Sequence, residues 1–153
     1  MEIQNQIAEI LQSELASQKP EKIYAIVSIA EDIYALDAKN VLEVLKFVEL
    51  SRPERLPSHI VGLFEYDGRI ISVADIKSVL NIEPTPYDLN SKIVIINVDD
   101  NIFAIMVNKV LDVKRVDLNR IQKVPYNTEH NFIESIYDYN DSQCNMLKLS
   151  AIN

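Results

Sequence analysis

Between Ile60 and Ile76 the chain reads IVGLFEYDGRIISVADI, two runs of β-branched and aromatic residues on either side of Asp67-Gly68. A two-residue type I′ turn needs positive φ at both central positions, so an Asp-Gly pair in that setting predicts a β-hairpin. The turn fixes the register: Tyr66 faces Arg69, Phe64 faces Ile71 and Gly62 faces Val73. Ile60, Phe64, Tyr66, Ile71 and Val73 then form a core face, opposite Leu63, Glu65, Ile70 and Ser72. Both glycines of the 153-residue chain, Gly62 and Gly68, lie in this stretch. Gly62 leaves a gap in the hairpin where another element can approach closely.

Elsewhere the pattern alternates between helical and strand periods. In residues 1–17 Ile3, Ile7, Ile10, Leu11 and Leu15 recur at helical spacing and fill a stripe about 140° wide, with Gln4 and Glu14 intruding on it. The expectation is a helix, ended by Pro20, whose stripe packs on the rest of the chain; the alternative is a partner or oligomer surface. Ile23 to Ile29 and Ile33 to Leu36 read as strands joined by Ala30-Glu31-Asp32. Val41 to Val48 is a third apolar run, compatible with a strand or a short helix, and 51–57, with Pro53 and Pro57, is a loop. Asp75 stands where a helix N-cap would, with Ser78 three residues on. Residues 81–91, with Pro84 and Pro86, form the most linker-like segment.

Beyond that linker the same words return. After a strand at Lys92 to Val98 and a turn at Asp99-Asp100-Asn101, residues 102–113 read IFAIMVNKVLDV against IYALDAKNVLEV at 33–44, an offset of 69 with five of twelve positions identical. Leu56-Pro57 answers to Val124-Pro125, Leu63 to Tyr66 answers to Ile136 to Tyr139, and Val73 to Ile76 answers to Met146 to Leu149. A set of about five short strands cannot bury two sheet faces alone, so two copies packed together, as paired small β-barrels, is the economical architecture. The repeat halves run from about 22 to 80 and 92 to 152.

Charge and composition narrow the chemistry. The net charge of -8, with a sequence pI near 4.7 and no Lys/Arg cluster, opposes nucleic acid or an anionic lipid surface as partner. Cys144 is the single cysteine, which rules out an intrachain disulfide or a thiolate metal cluster and fits a reducing compartment. No apolar run approaches the ~20 residues of a membrane helix, and no signal-peptide pattern opens the chain; the expected location is cytoplasmic. His59 and His130 fall in loop contexts, without the spacing of a zinc motif, and no nucleophile elbow or phosphate loop is present. Asp99-Asp100, Asp112 and Asp117 lack the close, regular spacing of a calcium loop. No cofactor is expected. An enzyme or small-ligand protein using Glu43, Asp112 and a histidine as acid and base is the alternative reading, and it rests on carboxylates alone.

From Ile23 to Leu149 the order of these pieces resembles a CheW-like domain, the adaptor of bacterial chemosensory systems. The resemblance rests on Tyr34-Ala35-Leu36, Val41-Leu42-Glu43-Val44, Leu56-Pro57 and the segment from Gly62 to Ile76. It implies a mainly β fold of two pseudo-repeated, five-stranded SH3-like barrels with an N-terminal amphipathic helix and short helical turns. It also implies a non-catalytic scaffold that couples the cytoplasmic helical tip of chemoreceptors to the regulatory domain of a CheA-type histidine kinase, and that can meet other CheW-like proteins, at receptor arrays on the inner face of the membrane. Val41, Glu43, Gly62, Asp67 and Gly68 match the partner-contact positions. The chain departs from the pattern where the family has Asn-Leu-Arg-Gly: Glu65-Tyr66-Asp67-Gly68 replaces the tip arginine with an acid, which implies altered receptor specificity. Ser72 replaces the family's proline, and Asn108 stands at a commonly acidic position.

Overall fold

A computed structural model describes residues 2–17, 20–79, 82, 87–124 and 132–152, with the side chains of the first helix described from Ile3 to Ile10. The helix α1 (Glu2–Ser17) precedes five strands, β1 (Glu21–Ile29), β2 (Asp32–Asp37), β3 (Val41–Lys46), β4 (Ile60–Tyr66) and β5 (Arg69–Ala74), and the short helix α2 (Ile76–Val79). Six more strands follow: β6 (Lys92–Val98), β7 (Asn101–Val107), β8 (Lys109–Asp117), β9 (Gln122–Lys123), β10 (Ile133–Tyr139) and β11 (Ser142–Leu147). The third apolar run is thus a strand.

The hairpin forms in the expected register, with Tyr66 opposite Arg69, Phe64 opposite Ile71 and Gly62 opposite Val73. Asp67 and Gly68 both have positive φ, 50° and 78°. The same device recurs at Asp99-Asp100 (50° and 67°) and Asn140-Asp141 (48° and 66°), where short acidic and amide side chains tolerate the left-handed region. One assignment on the hairpin changes. The ladder shifts register between Ile60 and Gly62, so Ile60 turns away from the hairpin's core face and Val61 takes its place there.

The strands make two sheets, ordered β8-β1-β2-β11-β10-β9 and β3-β6-β7-β5-β4. Matching the repeats strand for strand turns one order into the other, apart from the additional β9. Neither sheet is built from one repeat, however. The first combines β1 and β2 with the second repeat's β8, β10 and β11; the second combines β6 and β7 with the first repeat's β3, β4 and β5. The joins are the antiparallel pairs β1–β8 and β3–β6 and the parallel pairs β2–β11 and β5–β7. The expectation of one barrel per repeat is therefore corrected: the barrels are exchanged.

Burial explains the exchange. Strands β1, β2, β6 and β7 are central and covered on both faces, which is why they read as nearly unbroken apolar runs. One face of β1 sends Tyr24 and Ile26 to meet Ala35, Val116, Tyr137, Cys144 and Met146, a cluster drawn from the first sheet alone. Ile71, Val73, Ile93, Ile95, Ala104 and Met106 form the matching cluster within the second. A sheet face that buries itself with no layer above it has rolled up, so each sheet is a small barrel. Between them lies a shared core that includes Val27, Leu36, Ala74, Ile76, Val94, Ile96, Phe103 and Ile105.

Along its described side chains, Ile3 to Ile10, the N-terminal helix departs from the expectation that its stripe packs on the chain, while the side chains of Leu11 and Leu15 lie outside the described residues. Ile3, Ile7 and Ile10 are 71%, 52% and 58% exposed. No helix among the described residues is long and apolar enough to cross a membrane.

Candidate functional site

The seam of the second barrel gathers most of the residues singled out in the sequence. Strands β3 and β4 are opposite edges of that sheet, yet the Tyr66 hydroxyl donates to Glu43 Oε2 at 2.8 Å. Rolling the sheet brings the Val-Leu-Glu-Val strand beside the Asp67-Gly68 tip. Val41 is half-buried at the inner rim of β3, Glu43 is exposed, and Asp67 and Gly68 are exposed at the turn. The hydrogen bond to Glu43 holds the Tyr66 phenol above its usual range, with burial and the charges of Glu43 and Asp67 adding to it. Leu42 and Val44, 47% and 43% exposed, give the same strand an apolar margin.

Gly62 sits apart from this surface. It is buried, and a Cβ built on it would lie 2.6 Å from Leu50 Cβ and 3.0 Å from the Ser51 carbonyl oxygen. The chain leaving β3 folds across it and hydrogen-bonds to β4 in both directions, Ser51 N to Leu63 O and Leu63 N to Ser51 O, each 2.8 Å. Gly62 therefore shapes this face through the path of Leu50-Ser51.

The second repeat reproduces the seam. Tyr139 donates to Asp112 Oδ2 at 3.3 Å, and Lys114 Nζ lies 5.2 Å from the Tyr139 ring centroid and 5.9 Å from that of Tyr137. Asp112 and Glu43 are thus equivalent residues in different barrels, each bonded to a tyrosine. Of the histidines proposed to join them, His59 lies in the loop before β4, where its carbonyl accepts from Asp75 N at 2.7 Å, and His130 lies outside the described residues. Among the described residues the acid–base grouping does not assemble. Asp99 and Asp100 form the β6–β7 turn, and among the described residues no three metal-ligating side chains gather.

Two polar arrangements escaped sequence reasoning. Asp75 caps α2 as expected, accepting from Lys77 N at 3.0 Å, but its Oδ1 also accepts from the Tyr87 hydroxyl at 2.8 Å. Lys77 is buried with Nζ 3.6 Å from the Tyr87 ring centroid; burial lowers its pKa and Asp75 opposes that effect. The end of the linker is thereby pinned to the barrel. No local pattern marks Tyr87 for this, since its partners lie on α2 and β7. Asn108 has a role of its own: its side-chain oxygen accepts from Ala30 N at 2.7 Å, fixing a turn in which Ala30 has φ 56°.

Paired barrels with exchanged strands carry a tyrosine–carboxylate bond across each seam, and the second barrel sets an exposed tip beside an apolar edge. The CheW-like domain family matches residues 24–153. The chain belongs to this family. Chemotaxis protein CheW of Klebsiella aerogenes is 23% identical over 113 residues, covering 74% of this chain and 68% of its own length. Chemotaxis protein CheW of Helicobacter pylori is 19% identical over 126 residues, covering 81% and 76%. The crystal structure of the scaffolding protein TtCheW from Thermoanaerobacter tengcongensis superposes with a TM-score of 0.78 at 29% identity, covering 87% of this chain and 88% of that one. The chain is a CheW-like chemotaxis scaffold, and scaffolds of this family are non-catalytic.

Proposed function

We propose that this scaffold couples chemoreceptors to a CheA-type histidine kinase in the cytoplasm, one barrel meeting the kinase regulatory domain and the β3 edge with the β4–β5 tip meeting the helical tip of a receptor. The observation that carries this reading is the Tyr66–Glu43 bond, which supports a single contact surface made of Val41, Glu43, Asp67 and Gly68. Gly62 contributes from beneath, by letting Leu50-Ser51 lie flat. A contact of roughly 800 Å² per partner is enough for a specific complex, and exposed barrel edges suit docking to like barrels, including other CheW-like proteins.

An acid at the tip, in place of the family's arginine, favours receptors with a basic residue at the contact and disfavours acidic ones. Pull-down of the full chain with its cognate kinase regulatory domain and with a receptor tip tests both parts. Association with the kinase at micromolar concentration is expected; its absence would sink the adaptor reading. Asp67→Arg is expected to strengthen binding to a receptor tip that presents an acidic residue at the contact. Unchanged receptor affinity in that variant would remove the tip from the contact surface and leave the kinase contact standing.

A further inference from the structure

Strand β3 stops at Lys46, whereas its repeat equivalent β8 runs on to Asp117, which the offset of 69 matches to Val48. In the first barrel the longer strand fills that end: Val116 is buried in a cluster with Tyr24 and Met146, and Ile121 packs against it. In the second barrel the same end is hollow. A cavity of about 290 Å³ opens there, away from the Asp67-Gly68 tip, with Phe47, Leu50, Val61 and Met106 as its apolar walls. A wider hollow of about 550 Å³ shares Phe47, Leu50 and Arg52 with it and leads out past the exposed Leu89.

Three polar side chains complete the lining: Arg52, Asp75 and Tyr87. Asp75 takes both of its described side-chain hydrogen bonds, from Lys77 N and from the Tyr87 hydroxyl, on Oδ1, which leaves Oδ2 for a further donor. Burial holds the Tyr87 phenol far above its usual range, so the group stays neutral, and its oxygen keeps a lone pair after donating to Asp75. Lys77, stacked on the Tyr87 ring, does not line the cavity. Arg52 is exposed, where the two hollows meet. These charges select among ligands. A lone anion on Arg52 is repelled by Asp75, and a lone cation on Asp75 is repelled by Arg52, whereas a molecule carrying both charges satisfies both. The volume lies at the small end for a ligand pocket, and the four walls call for an apolar body.

We infer that this end of the second barrel binds a free α-amino acid with an aliphatic or aromatic side chain. Its ammonium meets Asp75 Oδ2 and the Tyr87 oxygen, its carboxylate meets Arg52, and its side chain lies among Phe47, Leu50, Val61 and Met106. The site is separate from the Tyr66–Glu43 seam and does not rest on the adaptor reading.

Isothermal titration calorimetry on the full chain is expected to give a dissociation constant of about 0.1–1 mM for L-leucine, L-phenylalanine or both. Glycine, which lacks the apolar body, isocaproate, which lacks the ammonium, and isopentylamine, which lacks the carboxylate, should each bind about tenfold more weakly or worse. Arg52→Gln, at an exposed position, should erase the advantage of leucine over isopentylamine. Asp75→Asn, which keeps an acceptor for the α2 cap, should erase its advantage over isocaproate; if that variant fails to fold, Arg52→Gln decides alone. Absence of binding by both amino acids at about 10 mM overturns the inference. So does isocaproate or isopentylamine binding as tightly as leucine, or a leucine affinity unchanged in Arg52→Gln.

Discussion

Gly62→Ala isolates the reason for a glycine at that position. Its φ is not in the left-handed region, so an added methyl meets no backbone penalty in the folded state and the destabilising part of the effect comes from space. The new Cβ would stand 2.6 Å from Leu50 Cβ, closer than such atoms approach, and 3.0 Å from Ser51 O. Forcing Leu50-Ser51 outward costs about 1–3 kcal/mol as overpacking. It also loosens the reciprocal Ser51–Leu63 hydrogen bonds, each worth ~1 kcal/mol net. Against this, alanine removes about 0.4–1 kcal/mol of unfolded-chain entropy. The net loss is about 2–3 kcal/mol, or about 5–10 °C in melting temperature for a chain of this size. Urea denaturation measures it directly. The nearest atom is a Cβ, with Leu50 Cδ1 further off at 3.1 Å, so Leu50→Ala leaves the main collision in place and Leu50→Gly removes it. In the Leu50→Gly background the cost of Gly62→Ala should fall below about 1 kcal/mol. A loss under ~0.5 kcal/mol in the wild-type background, or the same loss with and without Leu50, would refute the reasoning.

Gly68 provides the converse case: nothing lies within 4 Å of its virtual Cβ, but φ is +78°, so Gly68→Ala should cost ~1 kcal/mol in urea denaturation and Gly68→Asn less. Ala30, at φ 56°, should gain roughly 0.5–1 kcal/mol on replacement by glycine. Asn108→Ala, which strips the acceptor from Ala30 N, should lose about 1–2 kcal/mol, both changes read from the same denaturation curves. Burial first, and Asp32 second, raise the Tyr34 phenol from 10.0 to about 12. A group raised in the folded state contributes stability that is complete below pH 10 and lost as pH climbs towards 12, so the urea midpoint should fall across that window, with phenolate absorbance rising as the chain unfolds. A Tyr34→Phe chain should show a shallower decline.

Much of this protein is written locally. The Asp67-Gly68 turn and its register follow from a backbone requirement that only a few residues meet. The Asp75 cap follows from an oxygen placed before an apolar turn, and the paired barrels follow from a pattern repeated at an offset of 69. Tertiary structure alone decided which strands share a barrel. The apolar run of β1 can pair with β3 or with its repeat equivalent β8 equally well by alternation, and the exchange is favoured because it covers both faces of the four central strands at once. The seam bonds were likewise out of reach, because Tyr66 and Glu43 are 23 residues apart and meet only when the sheet closes. The open stripe of α1 is the clearest case. Periodicity fixes that Ile3, Ile7 and Ile10 share a face, but what that face packs against depends on how the elements are arranged in space.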